Sequence, residues 1–136
     1  MNLRTEIMIK PTALQELVLE YFRGVDEEVL PRILATLDPD CVFTVETHGV
    51  RLEGHDQISG MFERLWSNHK SVCHDQFYFV EDPNTTDIAV RFRVTNQAEN
   101  GAEIFKSNCN FFTLKDGLFT EIRVYMAGLN TLDRAQ

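Results

Sequence analysis

The hydrophobic period of this chain changes once, near Ser71, and that change restricts the fold more than any single motif. Before it, apolar residues recur at helical spacing; after it, they alternate. Leu14, Leu17, Val18, Tyr21, Phe22 and Val25 form one stripe, introduced by Thr12 as N-cap with Gln15 three residues on, the spacing of a capping box. Asp26 interrupts it. Val29, Leu30, Ile33, Leu34 and Leu37 form a second stripe that runs to "DPD", where the residue ahead of the proline is biased out of the helix. "CVFTVETHGVRLEG" reads as a strand and turn. "HDQISGMFERLW" predicts a third helix with Ile58, Met61, Phe62, Leu65 and Trp66 on one face, capped by Asp56 or His55.

Beyond Ser71, "SVCHDQFYF" reads as a strand. In "DIAVRFRVTN", Ile88, Val90, Phe92 and Val94 share one face that Asn96 continues, and Arg91, Arg93 and Thr95 share the other. "EIFKSNCNFFTL", the turn "KDG" and "LFTEIRVYMAG" complete an antiparallel meander with Ile122, Val124 and Met126 inward. Helices followed by a run of long strands predict an α+β domain whose curved sheet wraps three N-terminal helices on one face.

At 136 residues, one domain is expected, with residues 1–11 as an N-terminal extension; a chain of this size buries roughly two thirds of its unfolded surface. The net charge of −8 argues against nucleic acid and anionic membranes, which need a basic footprint. Cys41, Cys73 and Cys109 each lie in an apolar run without C-x-x-C spacing, so they read as small buried hydrophobes in a reducing compartment. "MNLRTEIMIKP" lacks a signal-peptide core, and no run reaches the length of a membrane span. A cytoplasmic location is expected.

No H-E-x-x-H, G-x-S-x-G or glycine-rich phosphate loop is present, and His48, His55, His69 and His74 lack metal-ligand spacing, so no metal is expected. Polar residues do stand where the pattern expects apolar ones: Tyr21 in the first stripe, Asp26 between two helices, Asn96 and Asn110 in core strands, and His74, the type of side chain that changes charge near neutrality. Each has an ordinary structural reading as well. A stripe tyrosine packs with its hydroxyl satisfied, Asp26 caps the second helix, and a buried asparagine is a satisfied amide. Trp66 and the ten phenylalanines read as core rather than as a base-stacking platform. His55 reads as a helix-start residue, His48 and His69 as loop positions, and Asp75 as solvated.

The segments "YFRGVDEEVLPRILATLDPDCVF", "GVRLEGHDQI" before a helix ending "LW", and "FFTLKDGLFTEIRVY" resemble the SnoaL-like branch of the nuclear transport factor superfamily over nearly the whole chain. The resemblance implies a cone-shaped α+β barrel with a deep apolar pocket for a small hydrophobic ligand, no cofactor, and a homodimer through the outer face of the sheet. The fold alone leaves function open. Against ketosteroid isomerase, Tyr21 matches the oxyanion-hole tyrosine, but the base falls on Val45 and the second acid on Asn110. Against the polyketide cyclases, the late aspartate falls among Met126, Ala127 and Gly128. Tyr21, Asp26 and His74 are similar in spacing to the tyrosine, aspartate and histidine of the scytalone dehydratase and bile acid 7α-dehydratase subgroup, whose fourth polar residue falls on Asn96.

That resemblance implies a dehydratase in which His74 is the base, Tyr21 the donor to an enolate and Asp26 the partner of the imidazole, with Asn96, Asn110, Val45 and Trp66 lining the substrate site. The alternatives are a ligand-binding or dimerisation domain without chemistry, and an isomerase or cyclase using Glu46 or Glu103 as base. The orientation of His74 stays open. Strict alternation puts it with Val72, Gln76, Tyr78 and Val80, opposite Cys73, Phe77 and Phe79. If Phe77 and Phe79 face the helices, His74 lies outside; if they fill a dimer interface, His74 faces the pocket beside Gln76 and Tyr78. The resemblance favours the second.

Overall fold

The computed structural model describes residues 10–128 and Leu132. The expected N-terminal extension lies outside the described residues except for Lys10 and Pro11. Helix α1 (Ala13–Asp26) begins at Thr12, whose hydroxyl accepts the Gln15 N–H at 3.1 Å. Only half of the capping box forms. Instead of turning back to the cap, the Gln15 amide donates to Glu81 Oε2 at 2.9 Å, as does the Thr12 hydroxyl at 3.0 Å, which ties the start of α1 to the sheet.

A tight turn through Glu28, in the left-handed region at φ 58°, leads to α2 (Leu30–Leu34), with Pro31 in its first turn, where a missing N–H costs no helical bond. Gly24 permits the close crossing of the two helices, since a Cβ there would stand 2.7 Å from the Ile33 side chain. The second helix is shorter than its apolar stripe predicts. Leu37 leaves it and pairs with Phe119 at the start of β1 (Leu37–Val45). Pro39 keeps Asp38 extended, and burial of Leu37 against the sheet outweighs its helical spacing.

The expected single strand and turn is a hairpin: after a 3-10 turn at Glu46–His48 and Gly49 at φ 64°, β2 (Val50–Glu53) pairs antiparallel with β1. Helix α3 (Gly54–Asn68) follows. Neither Asp56 nor His55 caps it. Gln57 Oε1 accepts the Glu53 N–H at 2.8 Å, and the His55 Nε2–H donates to the Leu37 carbonyl at 3.1 Å.

Strands β3 (Ser71–Glu81), β4 (Asp87–Gln97), β5 (Glu103–Lys115) and β6 (Leu118–Tyr125) form the expected meander. Beside β6, β1 pairs in parallel, giving one mixed sheet in the order β2-β1-β6-β5-β4-β3. The sheet curves around the helices, with α1 against β3 and α3 against β1 and β2. The fold is α+β, with its core between the inner face of the sheet and the helical stripes. Phe43, Phe62, Phe112, Phe119, Ile58 and Ile122 are fully buried there. Of the cysteines, only Cys41 is buried; Cys73 is exposed and Cys109 half-buried, because both lie on outward strand positions. No described helix is long and apolar enough to cross a membrane.

Candidate functional site

Strand β3 does not alternate strictly. Gln76 adopts φ 58°, and the pairing with β4 slips between Asp75 and Tyr78, so one extra residue bulges out of the ladder. On one side of the bulge Val72 and His74 face the helices; on the other, Phe77 and Phe79 do. The two orientations offered by strict alternation are therefore both replaced. His74 and the phenylalanines share the inner face, while Tyr78 (61% exposed) and Val80 (56% exposed) stand outside. Gln76 is exposed, and neither it nor Tyr78 lines the inner cavity.

β3 is also the edge of the sheet. Its free side is met by the last residue of α1. Asp26 Oδ2 accepts the backbone N–H of His74 at 2.8 Å, and Oδ1 accepts Nδ1–H of the same residue at 2.5 Å. One carboxylate thus covers an edge donor and fixes the imidazole tautomer, because an ionised carboxylate only accepts and Nδ1 must carry the hydrogen. Nε2 is left for other work. Asp26 is not the cap of α2, whose N-cap, Val29, has no side-chain bond. The imidazole is 9% exposed, with its ring 4.7 Å from Phe22 and 5.3 Å from Phe92, and Phe77 packs on the same two rings.

His74 lines an inner cavity with Tyr21, Phe22, Phe92, Asn96 and Asn110. Its remaining wall is mainly apolar, from Val25, Phe62, Leu65, Val94, Met126 and Leu132. The space open to a water's centre is about 30 Å³, room for about two waters, and a drug-sized ligand needs several hundred cubic ångströms. Tyr21 makes edge contacts with Phe22, Phe62 and Phe112, and burial, followed by the nearby Cys41, pushes its phenol well above the ordinary value. It stays protonated and able to donate. Burial likewise pushes the Cys41 thiol up to about 12.

Asn96 and Asn110 are buried, and each holds Oδ1 without a hydrogen-bond partner among the described residues. Val45 and Trp66 do not join them. Val45 is buried elsewhere in the core, and the Trp66 indole N–H donates to the Val25 carbonyl at 3.0 Å, so both support the fold behind the cavity. His69, expected in a loop, is buried at the end of α3 with Nδ1–H donating to the Leu65 carbonyl. Glu46 and Glu103, the spare carboxylates, are exposed. No cluster of three or more His, Cys, Asp or Glu that could hold a metal forms among the described residues.

Two lining residues escape the sequence reading. Asn108 sits on the inner face of β5 two positions before Asn110, and alternation from Asn110 points to it. Leu132 has no such signal, because it follows the last strand.

A family model for the SnoaL-like domain matches residues 18–122. No curated protein matches the chain. Among solved structures, a Xanthomonas campestris protein provisionally named a polyketide cyclase superposes with a TM-score of 0.77 at 17% identity, over 83% of this chain and 89% of the other. A Bacillus subtilis protein provisionally named an isomerase gives 0.74 at 14% identity, over 84% and 86%. TerC co-crystallized with polyporic acid gives 0.73 at 17% identity, over 83% and 90%. At such identities the likeness speaks for the fold. The family match, spanning α1 to β6, carries more: the chain belongs to the SnoaL-like domain family.

Proposed function

We propose that the chain binds a small uncharged carbonyl compound in its inner cavity and moves a proton from the carbon next to the carbonyl, with dehydration of a β-hydroxy carbonyl compound as the overall reaction. The observation that carries this is the double hold of Asp26 on His74, at 2.8 Å to the backbone and 2.5 Å to Nδ1. An imidazole so fixed keeps Nε2 as a base, and the carboxylate stabilises the imidazolium formed when it takes a proton. Nε2 removes the α-proton, and the C–H electrons form the enolate, whose oxygen the Tyr21 phenol stabilises. As the carbonyl re-forms, the β-hydroxide leaves and takes the proton back from the imidazolium. The products are an α,β-unsaturated carbonyl compound and water.

The isomerase and cyclase names among the structural neighbours are compatible with the same proton transfer followed by a different second step. A base other than His74 has less support, since Glu46 and Glu103 are exposed. The free volume of about 30 Å³ is too small for a substrate or a carried ligand as the side chains stand, so binding in either reading requires the lining to open. Deuterium exchange separates the two readings. In D₂O, the protein accelerates loss of the α-proton NMR signals of 1-indanone, and His74→Ala and Asp26→Asn each lose about 100-fold or more of that acceleration. Equal exchange in wild type and both variants would leave only the container.

The outer face of the sheet carries Tyr78, Val80, Phe105, Phe111 and Tyr125, all exposed. This supports pairing of two copies through that face. Sedimentation velocity tests it: a dimer is expected, and Tyr78→Glu with Phe111→Glu yields monomers.

A further inference from the structure

The inner face of β5 carries Lys106, Asn108 and Asn110 in succession, all buried, and Asn108 differs from the other amides of the cavity in how it is held. Its Oδ1 accepts the Ala127 N–H at 3.0 Å. A backbone N–H only donates, so this bond identifies the oxygen and fixes the orientation of the amide; the NH₂ group lies on the other side with two donors. No described residue accepts from that NH₂ group. The Oδ1 atoms of Asn96 and Asn110 have no such partner among the described residues.

The ladder places this donor relative to the imidazole. Asn108 opposes Phe92 on β4, and Phe92 is in ring contact with His74. His74 opposes Val94, the next inward position of the same strand. His74 and Asn108 therefore border the cavity from either side of β4, two strand spacings across and two residues along, about 12 Å apart at the backbone. Among the described residues the cavity lining includes no lysine or arginine, and Asn108 offers it a neutral donor.

We infer that Asn108 is a substrate-binding residue whose Nδ2 donates to the carbonyl oxygen of a ketone, turning its α-carbon toward His74. This rests on the reading of the cavity as a carbonyl site and adds the group that orients the ligand in it. The bond to Ala127 serves the same end, since an amide tied at its oxygen holds its donors in place before the ligand arrives. A purely structural asparagine would need the acceptor alone.

That difference gives the test. Asn108→Asp retains an acceptor for Ala127 and removes the NH₂ donors; Asn108→Leu removes both groups without adding charge. The probes are 1-indanone and indane, the same skeleton with and without the carbonyl, titrated by ¹H–¹⁵N NMR, with the Ala127 amide signal reporting whether its bond survives. Wild type is expected to bind the ketone about 10-fold more tightly than the hydrocarbon, the worth of one good hydrogen bond. In Asn108→Asp the preference falls to about one with the Ala127 signal retained and indane binding unchanged, and in Asn108→Leu it falls equally. A preference that survives both substitutions overturns the role of Asn108 and leaves the carbonyl site standing. No preference in wild type overturns both. His74→Ala keeps the preference while losing deuterium exchange, which separates orientation from proton transfer.

Discussion

β3 and β4 are neighbours of 11 residues each, and only one of them obeys its own pattern. β4 is paired on both sides, and its inward set Ile88, Val90, Phe92, Val94 and Asn96 is buried without a break. β3 is paired on one side only and absorbs an extra residue at Gln76. A strand held from both sides cannot bulge without breaking two ladders, whereas an edge strand breaks one. The edge is therefore where a side chain can be re-aimed at low cost. Here the result is that an imidazole and two phenylalanines face inward together.

The sharpest way to break this contrast is chemical. With 1-indanone as probe, Asp26→Asn should lower exchange by about 100-fold to 10,000-fold while Asn96→Ala, on the regular strand, changes it far less; equal losses would deny β3 its special role. Next in size is packing. Phe92→Ala should cost about 3–5 kcal/mol in urea unfolding, and the half-buried Phe77→Ala about 2 kcal/mol. Reversal of that order would mean that the bulge side is the better packed. Backbone changes come third. Gln76→Gly relieves a left-handed residue and should raise stability by up to about 1 kcal/mol, while Ala89→Gly on β4 should lower it by about 0.5–1 kcal/mol. Loss of stability in Gln76→Gly would show that the side chain matters more than the dihedral.

The smallest effect is expected over the regular part of the sheet, where Tyr21 packs on Phe112. Burial raises the phenol above its unfolded value, so folding favours the protonated form. The sign follows: its contribution is complete below pH about 10 and declines as the pH climbs from there toward the raised folded value. Thermal unfolding of Tyr21→Phe should lose less stability than wild type between pH 10 and 11. Parallel curves would mean that the phenol stays in water.

Much of the fold was legible in the residues. The stripe of α1, the inward face of β4 and the meander follow from spacing, because side-chain direction repeats with the backbone period wherever the period is undisturbed. Leu37 departs from its helical spacing for a reason outside its neighbourhood, since its pairing partner, Phe119, lies far along the chain. Trp66 lies on the expected face of α3, yet its indole N–H donates to the Val25 carbonyl and the residue is not part of the cavity lining. Asn108 was within reach of simple alternation from Asn110. Gln76 carries no signal of a bulge, being neither glycine nor asparagine.

The sequence by itself determined the order of the elements, the faces of the regular ones and the polar residues that interrupt them, since these depend on neighbours within a few residues. Only the tertiary structure decided that Asp26 grips His74 across 48 positions, that β1 lies parallel to β6, and that the cavity is narrow. Such outcomes depend on which distant surfaces pack together, and a carboxylate at a helix end meets an imidazole at a sheet edge only after the intervening chain has folded.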